Sequence, residues 1–451
     1  MKNKNKTLPF CSIIVLNYYG EKVIRDTIES LLSLNYPKER YEIIIVDNGS
    51  KDDSRKILLE LKEKNNQIKL IFSDKNLGFS KGNNLGISAA RGEYVALINN
   101  DCFAEKDWLI AMVKTAQKDK QIFAVNSKIL IYPSYLKFRV KILDLGASLT
   151  KISLTESNLL YLDSGIPVNI MFDLRGEEAF FELPFDIKKD SQIKLVLEFN
   201  YKTRHKLFFE DLNIPYQVNS PNFKYEYAID VKNKTIQSHK YDKIQNAGII
   251  VFFEGSGRDI GAVVCNSKQV YEEDINQYNQ EREIYAATAG AVLYSKEILD
   301  KIGYLDEDYF FYYEDVDICE RARFYGYKCF YSPRAVVRHL HSFSSKEWSS
   351  FFTYHAERGR LMHAFFNFPL PLYMLLLGYL HYTFYSFLRI AMVLAGKSKL
   401  ENQIPYLRVA GYFARQFPSL IVKRYRKYKK PQRLAMSKNF QDILSGKWYF
   451  N

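Results

Sequence analysis

Short apolar runs alternate with helix-period patterns along the first hundred residues of the chain. Four runs are rich in β-branched residues and end in polar ones: IIVLNYYG, IIIVDNGS, IKLIFSD and YVALINND. Between them, VIRDTIESLLSL and DSRKILLELKEKN place apolar residues three or four positions apart, which is typical of amphipathic helices. This alternation predicts an α/β fold with a parallel sheet and helices on both faces. Because ligands of such sheets bind beyond the carboxyl ends of the strands, the polar strand ends are expected to share one edge.

The pattern changes between residues 137 and 245. Runs such as IPVNIMFDL, AFFELPFDI, IKLVLEFNY and KYEYAIDV are short, aromatic and β-branched, with turn residues between them. They predict an inserted antiparallel β-domain, a small sandwich, after which the α/β pattern resumes at Asn246. The insert has three possible roles that the sequence leaves open: holding an acceptor, self-association as a homo-oligomer, or decoration of the surface.

The segment from Phe366 to Gly396 is strongly apolar. Its stretch from Phe368 to Leu388 has no Asp, Glu, Lys or Arg over 21 residues, a length that can cross a bilayer. Its prolines, histidine and tyrosines suit an interfacial or re-entrant segment as well. A buried amphipathic hairpin of the soluble fold is the alternative interpretation.

Most of the excess positive charge follows this apolar segment. The formal net charge of the chain is +13, and residues 397–451 hold thirteen Lys and Arg against two acids, a net +11. A basic tail can bind nucleic acid or anionic lipid, and an apolar neighbour favours lipid. We therefore expect residues 366–396 and the basic tail to dock on the cytoplasmic face of the cell membrane, with no nucleic-acid partner.

Cysteine usage and the N-terminus agree with a cytoplasmic location. The five cysteines form no CxxC pair and no regular spacing, which disfavours a disulfide framework or a zinc ribbon and favours a reducing compartment. The first ten residues, MKNKNKTLPF, are basic but contain no apolar core, so no signal peptide is expected.

Asp101 follows a strand and two amides in the stretch ALINNDC. A carboxylate at a strand end can bind a hard divalent cation and leave room for a diphosphate. The same residue can cap the helix predicted in AEKDWLIAMV, since Asp and Asn are common a few residues ahead of a helix. Taken alone, the motif supports both interpretations.

A second acidic cluster opens a later helix. Glu314, Asp315 and Asp317 lie within four residues, behind five aromatic residues, in YFFYYEDVD. Helix capping alone needs fewer acids, and a carboxylate in a partly closed site makes a good general base. Downstream, the strand in AVVRHLHS ends at His339 and His341, and imidazole serves both as a metal ligand and as an acid/base group.

A Gly-rich passage, SDKNLGFSKGNNLGISAARG, precedes the fourth strand. Backbone amides at a Gly-rich turn into a helix suit a phosphate group, although such a cluster is a weak signal by itself.

Taken together, these motifs resemble glycosyltransferase family 2, whose members have the GT-A fold. IIVLNYYG, IIIVDNGSKDDS, KNLGFSKGNNLGI, GEYVALINNDC, ATAGAVLYSKE, GYLDEDYFFYYEDVDICERAR and YSPRAVVRHLHS occur in the order and spacing of that family. The chain is most similar to the rhamnosyltransferase-like branch, over roughly residues 9–135 and 246–345. The resemblance implies a GT-A mixed sheet with helices on both faces, interrupted by the insert and followed by apolar or amphipathic C-terminal helices.

The resemblance also divides the chain into regions. They are a disordered tail (1–8), a nucleotide-sugar-binding half of the GT-A domain (9–136), the β-rich insert (137–245), an acceptor and catalytic half (246–345), membrane-associating helices (346–396) and the basic C-terminal tail (397–451).

Site roles are implied by the same resemblance. Asp101 and His339 would bind Mg²⁺ or Mn²⁺, Asp315 would be the catalytic base with Glu314 as its rival, and Asp317 would orient the acceptor or the loop. Gly290 would allow close approach of the sugar, because a Cβ there would intrude. The remaining donor-binding residues would be Asn17, Asp47, Ser50, Asn76, Gly78, Lys81, Asn83 and Asn100. Asn99 and Asn100 stand where many relatives carry acids, so the donor diphosphate is expected to complete the metal site.

The expected function is therefore inverting, metal-dependent sugar transfer. The donor is expected to be a nucleotide-diphosphate sugar, a dTDP- or UDP-sugar of rhamnose-like type, and the acceptor a lipid-linked or cell-surface glycan. The alternative is a catalytically weak GT-A-fold protein that binds glycans as a scaffold. Retention of Asp47, Asp101, Asp315 and His339 favours the enzyme.

Overall fold

The computed structural model of the 451-residue chain describes residues 8–144, 147–156, 170–172, 178–185, 192–200, 202–209, 212–214, 218–220, 223–230, 238–265, 268–340, 349–396 and 399–448. The chain divides into two compact units. The α/β unit comprises the residues up to Leu130, then Ile244–Glu272 and Asn276 onward. The β unit comprises Ile131–Lys243 and Glu273–Ile275.

Strands are numbered in chain order along the described residues. They are β1 Cys11–Asn17, β2 Tyr41–Asp47, β3 Ile68–Phe72, β4 Tyr94–Asn99, β5 Cys102–Ala104, β6 Ile122–Ile131, β7 Ser134–Ile142, β8 Leu149–Glu156, β9 Ile170–Phe172, β10 Glu178–Phe185, β11 Gln192–Phe199, β12 His205–Phe209, β13 Leu212–Ile214, β14 Val218–Ser220, β15 Lys224–Asp230, β16 Lys243–Asn246, β17 Ile249–Val251, β18 Gly257–Asp259, β19 Ala262–Cys265, β20 Lys268–Glu273, β21 Arg282–Ile284, β22 Ala291–Ser295 and β23 Lys328–His339.

The α-helices are numbered in the same way. They are α1 Ile24–Leu32, α2 Ser54–Lys64, α3 Phe79–Ala89, α4 Trp108–Ala116, α5 Lys296–Ile302, α6 Glu314–Phe324, α7 Ser350–Asn367, α8 Leu372–Leu394, α9 Ile404–Lys427 and α10 Lys430–Leu444.

The α/β unit is built on a mixed sheet. Strands β3, β2, β1 and β4 lie side by side and run parallel, as the alternating pattern predicts. Next to them β22 runs antiparallel between β4 and β6. Asn17 pairs in register with Asp47, and Leu16 pairs with Asn99. The polar strand ends therefore lie at one edge of the sheet, and the predicted GT-A-type arrangement is confirmed.

Helices cover both faces of this sheet because alternate strand residues point to opposite sides. On one face Ile13, Ile43 and Ile45 pack in a core with side chains of α1, α2 and α4, including Trp108. On the other face the core includes Ile14 and Ile44 of the strands together with apolar side chains of α3, α5 and α6. All five of these isoleucines and Trp108 are fully buried. The site at the strand ends is thus carried by a rigid scaffold.

The β unit consists of two antiparallel sheets. In the described residues one sheet has the order β13-β12-β7-β10-β9 and the other the order β14-β15-β11-β8. A single core joins side chains of both sheets, among them Phe138, Phe181, Leu195 and Tyr227. Strand β7 shows why the sequence folds this way, since its residues alternate between the core and the surface.

The residues from 399 to 448, expected as a basic tail, are folded into helices. Their basic residues are used inside the α/β unit, as the segment KRYRKYKK shows. Lys423 pairs with Asp306 at 2.7 Å, Lys427 pairs with buried Asp317, and Arg424 donates to the Leu370 carbonyl at 2.9 Å. The basic segment is therefore helical here, and acids and carbonyls on neighbouring elements bind several of its cations.

The apolar segment forms α8, and much of its surface is exposed. Tyr373, Leu377, Phe384 and Phe387 are each exposed by 60 % or more. In the part of the chain that the structure describes, no helix combines the length and the apolar composition that crossing a membrane requires.

Candidate functional site

A cavity of about 550 Å³ lies at the strand ends of the α/β unit. Asp101, Gly290, Glu314, Asp315 and His339 all line it. These residues come from four separate parts of the chain, and the sheet and α6 bring them together.

Asp101 and His339 form a pair within the cavity. Strand β23 pairs with β5 so that His339 lies opposite Cys102 in register. His339 Nε2 lies 3.1 Å from Asp101 Oδ1, and that buried oxygen has no hydrogen-bond partner among the described residues. His339 Nδ1 lies 2.7 Å from Gln245 Oε1. When His339 Nδ1 donates to Gln245 Oε1, the lone pair of His339 Nε2 faces the Asp101 carboxylate. A cation between Nε2 and that carboxylate would stabilise this arrangement.

Cys102 completes a cluster whose potential ligand atoms lie within 4.8 Å of one another. Its Sγ donates to the Gly290 carbonyl at 3.8 Å. Burial raises the pKa of the Cys102 thiol well above its usual value, so the thiol stays protonated. A carboxylate and an imidazole are then the available ligands, a set that suits Mg²⁺ or Mn²⁺ and leaves positions for substrate oxygens. The described residues thus fit the expected metal.

Glu314 and Asp315 begin α6 and line the same cavity, but their environments differ. The half-buried Asp315 accepts hydrogen bonds from the Val316 amide at 2.8 Å and the Ala289 amide at 3.3 Å. Burial raises the pKa of Asp315, and these amides oppose the shift. Glu314 is buried, and its Oε2 has no hydrogen-bond partner among the described residues. Burial, reinforced by the Asp315 charge, raises the pKa of Glu314 well above its usual range.

A strained aromatic loop leads into α6. Phe310, Tyr312 and Tyr313 have φ values of 55°, 67° and 72°, a left-handed conformation that bulky residues rarely adopt. The Phe310 carbonyl accepts from the Phe79 amide at 2.6 Å, and the Phe310 ring stacks on His355 with centroids 5.1 Å apart. These contacts hold the strained loop, which in turn fixes the start of α6 beside the cavity.

A hydrogen-bonded cluster of predicted donor residues lies at the ends of β1 and β2. Asn17 donates to Asp47 Oδ2 at 2.9 Å and to Ser50 Oγ at 3.3 Å, and Asn100 donates to Asn17 Oδ1 at 3.2 Å. Arg55 donates through Nε to Asp47 Oδ1 at 2.6 Å. The four predicted residues therefore meet as expected, while Asp47 is already engaged by Arg55. Asn17, Asp47, Ser50 and Asn100 are not in the lining of the cavity.

Asn76 and Gly78 form a turn ahead of α3. Asn48 Nδ2 donates to Asn76 Oδ1 at 3.0 Å, and the Gly78 amide donates to the same oxygen at 2.8 Å. Gly78 has φ = +83°, and an added Cβ would lie 2.5 Å from the Phe310 ring. Both the backbone conformation and the packing therefore require glycine at this position.

Three other predicted residues have different surroundings. Lys81 lies 3.6 Å from the Glu307 carboxylate, and Asn83 donates within its own helix to the Phe79 carbonyl at 3.0 Å. Gly290 lines the cavity, and a Cβ there would lie 3.6 Å from Asn99 Nδ2, an ordinary contact. No described protein atom therefore excludes a side chain at Gly290. A side chain there would only take up space in the cavity, where the sugar is predicted to bind.

The structure places Asp317 outside the cavity. The carboxylate is fully buried, accepts from Arg321 Nε at 2.9 Å and from Asn367 Nδ2 at 3.1 Å, and also contacts Lys427. Although burial favours the neutral acid, Lys427 and Arg321 hold the pKa of Asp317 below its usual value. The expected acceptor-orienting role is therefore corrected, because these partners occupy the carboxylate and it instead ties α6 to the C-terminal helices. His341 lies outside the described residues.

The structure also adds residues that the motifs did not indicate. Gln245 fixes His339, and Arg55 binds Asp47. Asn126 accepts from the Thr288 amide at 2.8 Å and thereby holds the segment next to Gly290. Phe352 of α7 lines the cavity. Only Gln245 carried a visible signal, since the pair QN ends a strand as the other polar pairs do.

These features define an α/β protein that has a candidate metal site and candidate general bases in one cavity. A mixed α/β sheet carries, across one cavity, a carboxylate–imidazole pair suited to a divalent cation and two carboxylates suited to general-base chemistry.

Comparison with known proteins then gives the family. Residues 12–164 match the family model for glycosyl transferase family 2. Glycosyltransferase AglE of Haloferax volcanii is 31 % identical over 109 residues, which are 24 % of this chain and 36 % of that protein. A poly-beta-1,6-N-acetyl-D-glucosamine synthase of Staphylococcus epidermidis is 31 % identical over 126 residues, 28 % of this chain and 30 % of the synthase. The chain thus spans about a third of the length of these curated relatives.

A solved structure is also similar. It is the mannosyltransferase PcManGT from Pyrobaculum calidifontis in complex with GDP-Man and Mn²⁺, at 11 % identity and a TM-score of 0.40, covering 98 % of this chain and 88 % of that chain. This similarity is too weak to inform the chemistry of the present chain. The family match stands without it: residues 12–164 match glycosyltransferase family 2, and the family expected from the motifs is confirmed over this segment. The rhamnosyltransferase-like branch stays a prediction.

Proposed function

We propose that this protein is an inverting, metal-dependent glycosyltransferase. The observation that supports it best is the single cavity in which Asp101 and His339 face Glu314 and Asp315. The donor would be a nucleotide-diphosphate sugar, a dTDP- or UDP-sugar of rhamnose-like type. The acceptor would be a hydroxyl of a lipid-linked or cell-surface glycan.

Asp101 and His339 would hold the cation. Their ligand atoms are 3.1 Å apart, and Gln245 orients the imidazole so that Nε2 faces the carboxylate. A bound Mg²⁺ or Mn²⁺ would neutralise charge on the diphosphate leaving group. The neutral Asn99 and Asn100 beside the site add no further negative charge, so they leave the diphosphate to complete the coordination.

Asp315 would be the general base. It reaches the cavity while two backbone amides favour its ionised form, and its raised pKa makes it a stronger base than an ordinary Asp. The acceptor hydroxyl would give its proton to Asp315 as its oxygen bonds to the anomeric carbon. The bond from that carbon to the diphosphate would break, and the nucleotide diphosphate would leave with the bonding electrons.

The nucleotide base would bind near Asn17, Asp47, Ser50 and Asn100. Because Arg55 already engages Asp47, donor binding would need the guanidinium to shift or to contact the nucleotide directly. Arg55 is partly exposed and lies over the Phe72 ring at 5.3 Å, so an incoming nucleotide can reach the guanidinium. The Asn76 and Gly78 turn, with Lys81 and Asn83, would lie along the ribose and diphosphate.

Membrane association is part of the proposal. The exposed apolar side chains of α8 would enter the interfacial region of the cytoplasmic leaflet, and exposed cations such as Arg426, Lys429 and Lys430 would contact anionic headgroups. The alternative of a catalytically weak glycan-binding scaffold is less well supported, since it needs neither the raised pKa of Asp315 nor the Asp101–His339 pair.

A donor screen tests the function. Purified protein is incubated with a panel of nucleotide-diphosphate sugars and Mn²⁺ or Mg²⁺, and release of the nucleotide diphosphate is measured. We expect turnover of at least one donor, its loss in Asp315→Asn, and its retention in the control Asp300→Asn, whose exposed carboxylate on α5 pairs with Lys296. Binding of donor without turnover in the wild type, with every metal, would favour the scaffold.

A further inference from the structure

A second, apolar groove of about 420 Å³ lies in the α/β unit between α7, α8 and α9. Phe365 of α7, Leu375 and Tyr379 of α8, and Phe413 and Phe417 of α9 are among its lining residues. The inner face of α8 builds one wall, and the Tyr379 hydroxyl donates to the Ala410 carbonyl at 2.9 Å, which ties that wall to α9. The groove is therefore a feature of the packed helices.

The groove adjoins the cavity along α7. Ala356 lines the cavity, while Arg360 and Ala364 line the groove. These positions are four residues apart and so lie on one face of the helix, each about 6 Å along the axis from the next. An occupant of the groove that extends along this face of α7 is therefore directed toward the cavity.

The turn between β17 and β18 adjoins both spaces too. Phe252 and Gly257 line the cavity, and Phe253 and Glu254 line the groove. Gly255 holds the turn against α7, because a Cβ there would lie 3.1 Å from Ala364 Cβ. Two independent elements thus border both the groove and the cavity.

Polar groups concentrate where the two spaces meet. Arg360 donates to the Glu254 carbonyl at 3.2 Å and pairs with Glu357 at 2.9 Å. Arg258 is exposed on the cavity side, with its guanidinium 5.1 Å from the centroid of the Phe252 ring. Beyond this junction the groove is lined mainly by aromatic and aliphatic side chains. The distribution suits a ligand with a polar head in the cavity and a hydrocarbon chain in the groove.

We propose that the groove binds the hydrocarbon chain of a lipid-linked acceptor. The inference rests on the proposed glycosyl transfer and specifies its substrate class: the sugar-accepting head enters the cavity while the chain lies between α7, α8 and α9. Leu377, Phe384 and Phe387 are exposed on α8 outside the groove lining, so they are available to a membrane surface while the groove holds one chain.

Gly378 allows a direct test. It lines the groove, and a Cβ built on it would have no atom within 4 Å, so the side chain of Gly378→Phe would occupy the groove without displacing the protein. The matched control is Ala391→Phe, at an exposed position of α8 that is not in the groove lining. Thermal melting of both variants checks that each is folded.

Calorimetry with two glucosides that differ only in the length of the alkyl group measures how much a hydrocarbon chain contributes to the binding affinity. Decyl β-D-glucoside, below its micelle concentration, and methyl β-D-glucoside are titrated into the full-length protein. We expect the wild type and Ala391→Phe to bind the decyl probe at least about tenfold more tightly than the methyl probe, because chain methylenes leave water. We expect Gly378→Phe to lose that preference. Equal affinities for the two probes in the wild type would overturn the proposal.

An experiment with vesicles distinguishes binding of the acceptor's hydrocarbon chain from uptake of a bilayer lipid. With vesicles of phosphatidylcholine and phosphatidylglycerol, Gly378→Phe should sediment as the wild type does. Loss of sedimentation in Gly378→Phe but not in Ala391→Phe would mean that the groove takes up bilayer lipid, which would contradict the assignment to the acceptor. Donor turnover by the wild type is measured separately, so a failure of glycosyl transfer is distinguishable from a failure of chain binding.

Discussion

At the scale of single residues, Glu314 and Asp315 show how position within one turn decides a chemical role. Both begin α6, but amides of Val316 and Ala289 solvate only Asp315. Buried Glu314 has an oxygen without such partners and carries the more strongly raised pKa, so it stays protonated when Asp315 ionises. These environments support the proposal that Asp315 is the base and Glu314 a neutral neighbour.

The pH dependence of turnover separates the two carboxyl groups. The base must be ionised, and burial raises its pKa above the ordinary Asp value of about 3.9. We therefore expect kcat to fall as the pH is lowered through a value above about 4. Glu314→Gln should keep this acid limb. Abolition of turnover by Glu314→Gln, with turnover retained in Asp315→Asn, would assign the base to Glu314 instead.

Gln245 offers a second test at this scale, because it touches His339 and not the proposed cation directly. Gln245→Leu removes the hydrogen bond at 2.7 Å that orients the imidazole. Loss of such a partner typically lowers metal affinity about 10–100-fold, and Asp101→Ala should lower it further. Calorimetric titration of Mn²⁺ in the presence of donor measures both. Donor affinity unchanged by EDTA would contradict the metal role.

Residue chemistry was partly accessible from the sequence. Asp101 could be predicted as a candidate because it follows a strand of the parallel sheet, and His339 because the family resemblance implies a metal ligand at its position. The contact between Asp317 and Lys427 could not be predicted, since the two residues lie 110 positions apart and only the packing of the C-terminal helices brings them together. The same holds for Gln245, whose role depends on the pairing of β16 and β23 with β6.

At the scale of elements, α6 connects the site to the C-terminal helices. Asp317 binds Lys427 of α9 and Asn367 of α7, and on the next turn Glu320 binds His363 of α7 at 2.7 Å. These partners are buried or nearly so, so the helix that carries Asp315 is held by charges in a low-dielectric interior. The C-terminal helices thus position the catalytic helix.

Lys427→Met tests this connection. Removing one partner of a buried ion pair typically costs about 3–5 kcal/mol, since the other charge stays buried. We expect that loss in the free energy of unfolding by urea denaturation, against a small change for Lys430→Met, whose side chain is exposed. Equal, small effects of the two substitutions would contradict the role of the Asp317–Lys427 pair.

The same pair gives stability a defined pH dependence. Because the pKa of Asp317 is lower in the folded than in the unfolded state, its contribution is present above about pH 3.9 and is lost as the pH falls through the folded value. Asp317→Asn should be less stable than the wild type at neutral pH, with the difference shrinking in acid. A difference that stays constant from pH 7 to pH 3 would contradict this linkage.

Element patterns were the most predictable part of the fold. The alternation of apolar runs with helical patterns correctly predicted that β1 to β4 form a parallel sheet with helices between them in sequence. The direction of β22 could not be predicted from a local pattern, because it is set by pairing with β4 and β6, which lie far away in the sequence. The ion pairs of the C-terminal helices were not predicted, because a count of charges does not show which cations are paired.

At the scale of the whole molecule, the C-terminal cations divide between ion pairs inside the α/β unit and positions on the exposed surface. Part of the C-terminal basic segment neutralises buried acids, and the remaining exposed cations lie in the same part of the chain as the exposed side of α8. Removal of everything from Phe366 onward would leave Asp317 without Lys427, so a truncation would test folding together with membrane binding. Substitutions at exposed positions test membrane binding without removing Lys427.

Leu377→Glu combined with Phe387→Glu tests membrane docking. Both side chains are exposed by 60 % or more, so the substitutions should leave folding intact while placing charge at the proposed membrane surface. We expect sedimentation with anionic vesicles to fall at least severalfold, and to stay unchanged in Leu59→Glu, an exposed position on α2. Equal sedimentation of all three proteins would contradict docking through α8.

The central claim is that Asp315 activates the acceptor hydroxyl for attack on a nucleotide-diphosphate sugar. Its most direct test is to measure donor affinity by calorimetry and transfer rate in the same preparation of Asp315→Asn. We expect donor affinity within a few-fold of the wild type and a transfer rate lower by about 10²–10⁴-fold, the usual contribution of a general base. Transfer at the wild-type rate in Asp315→Asn would contradict the claim.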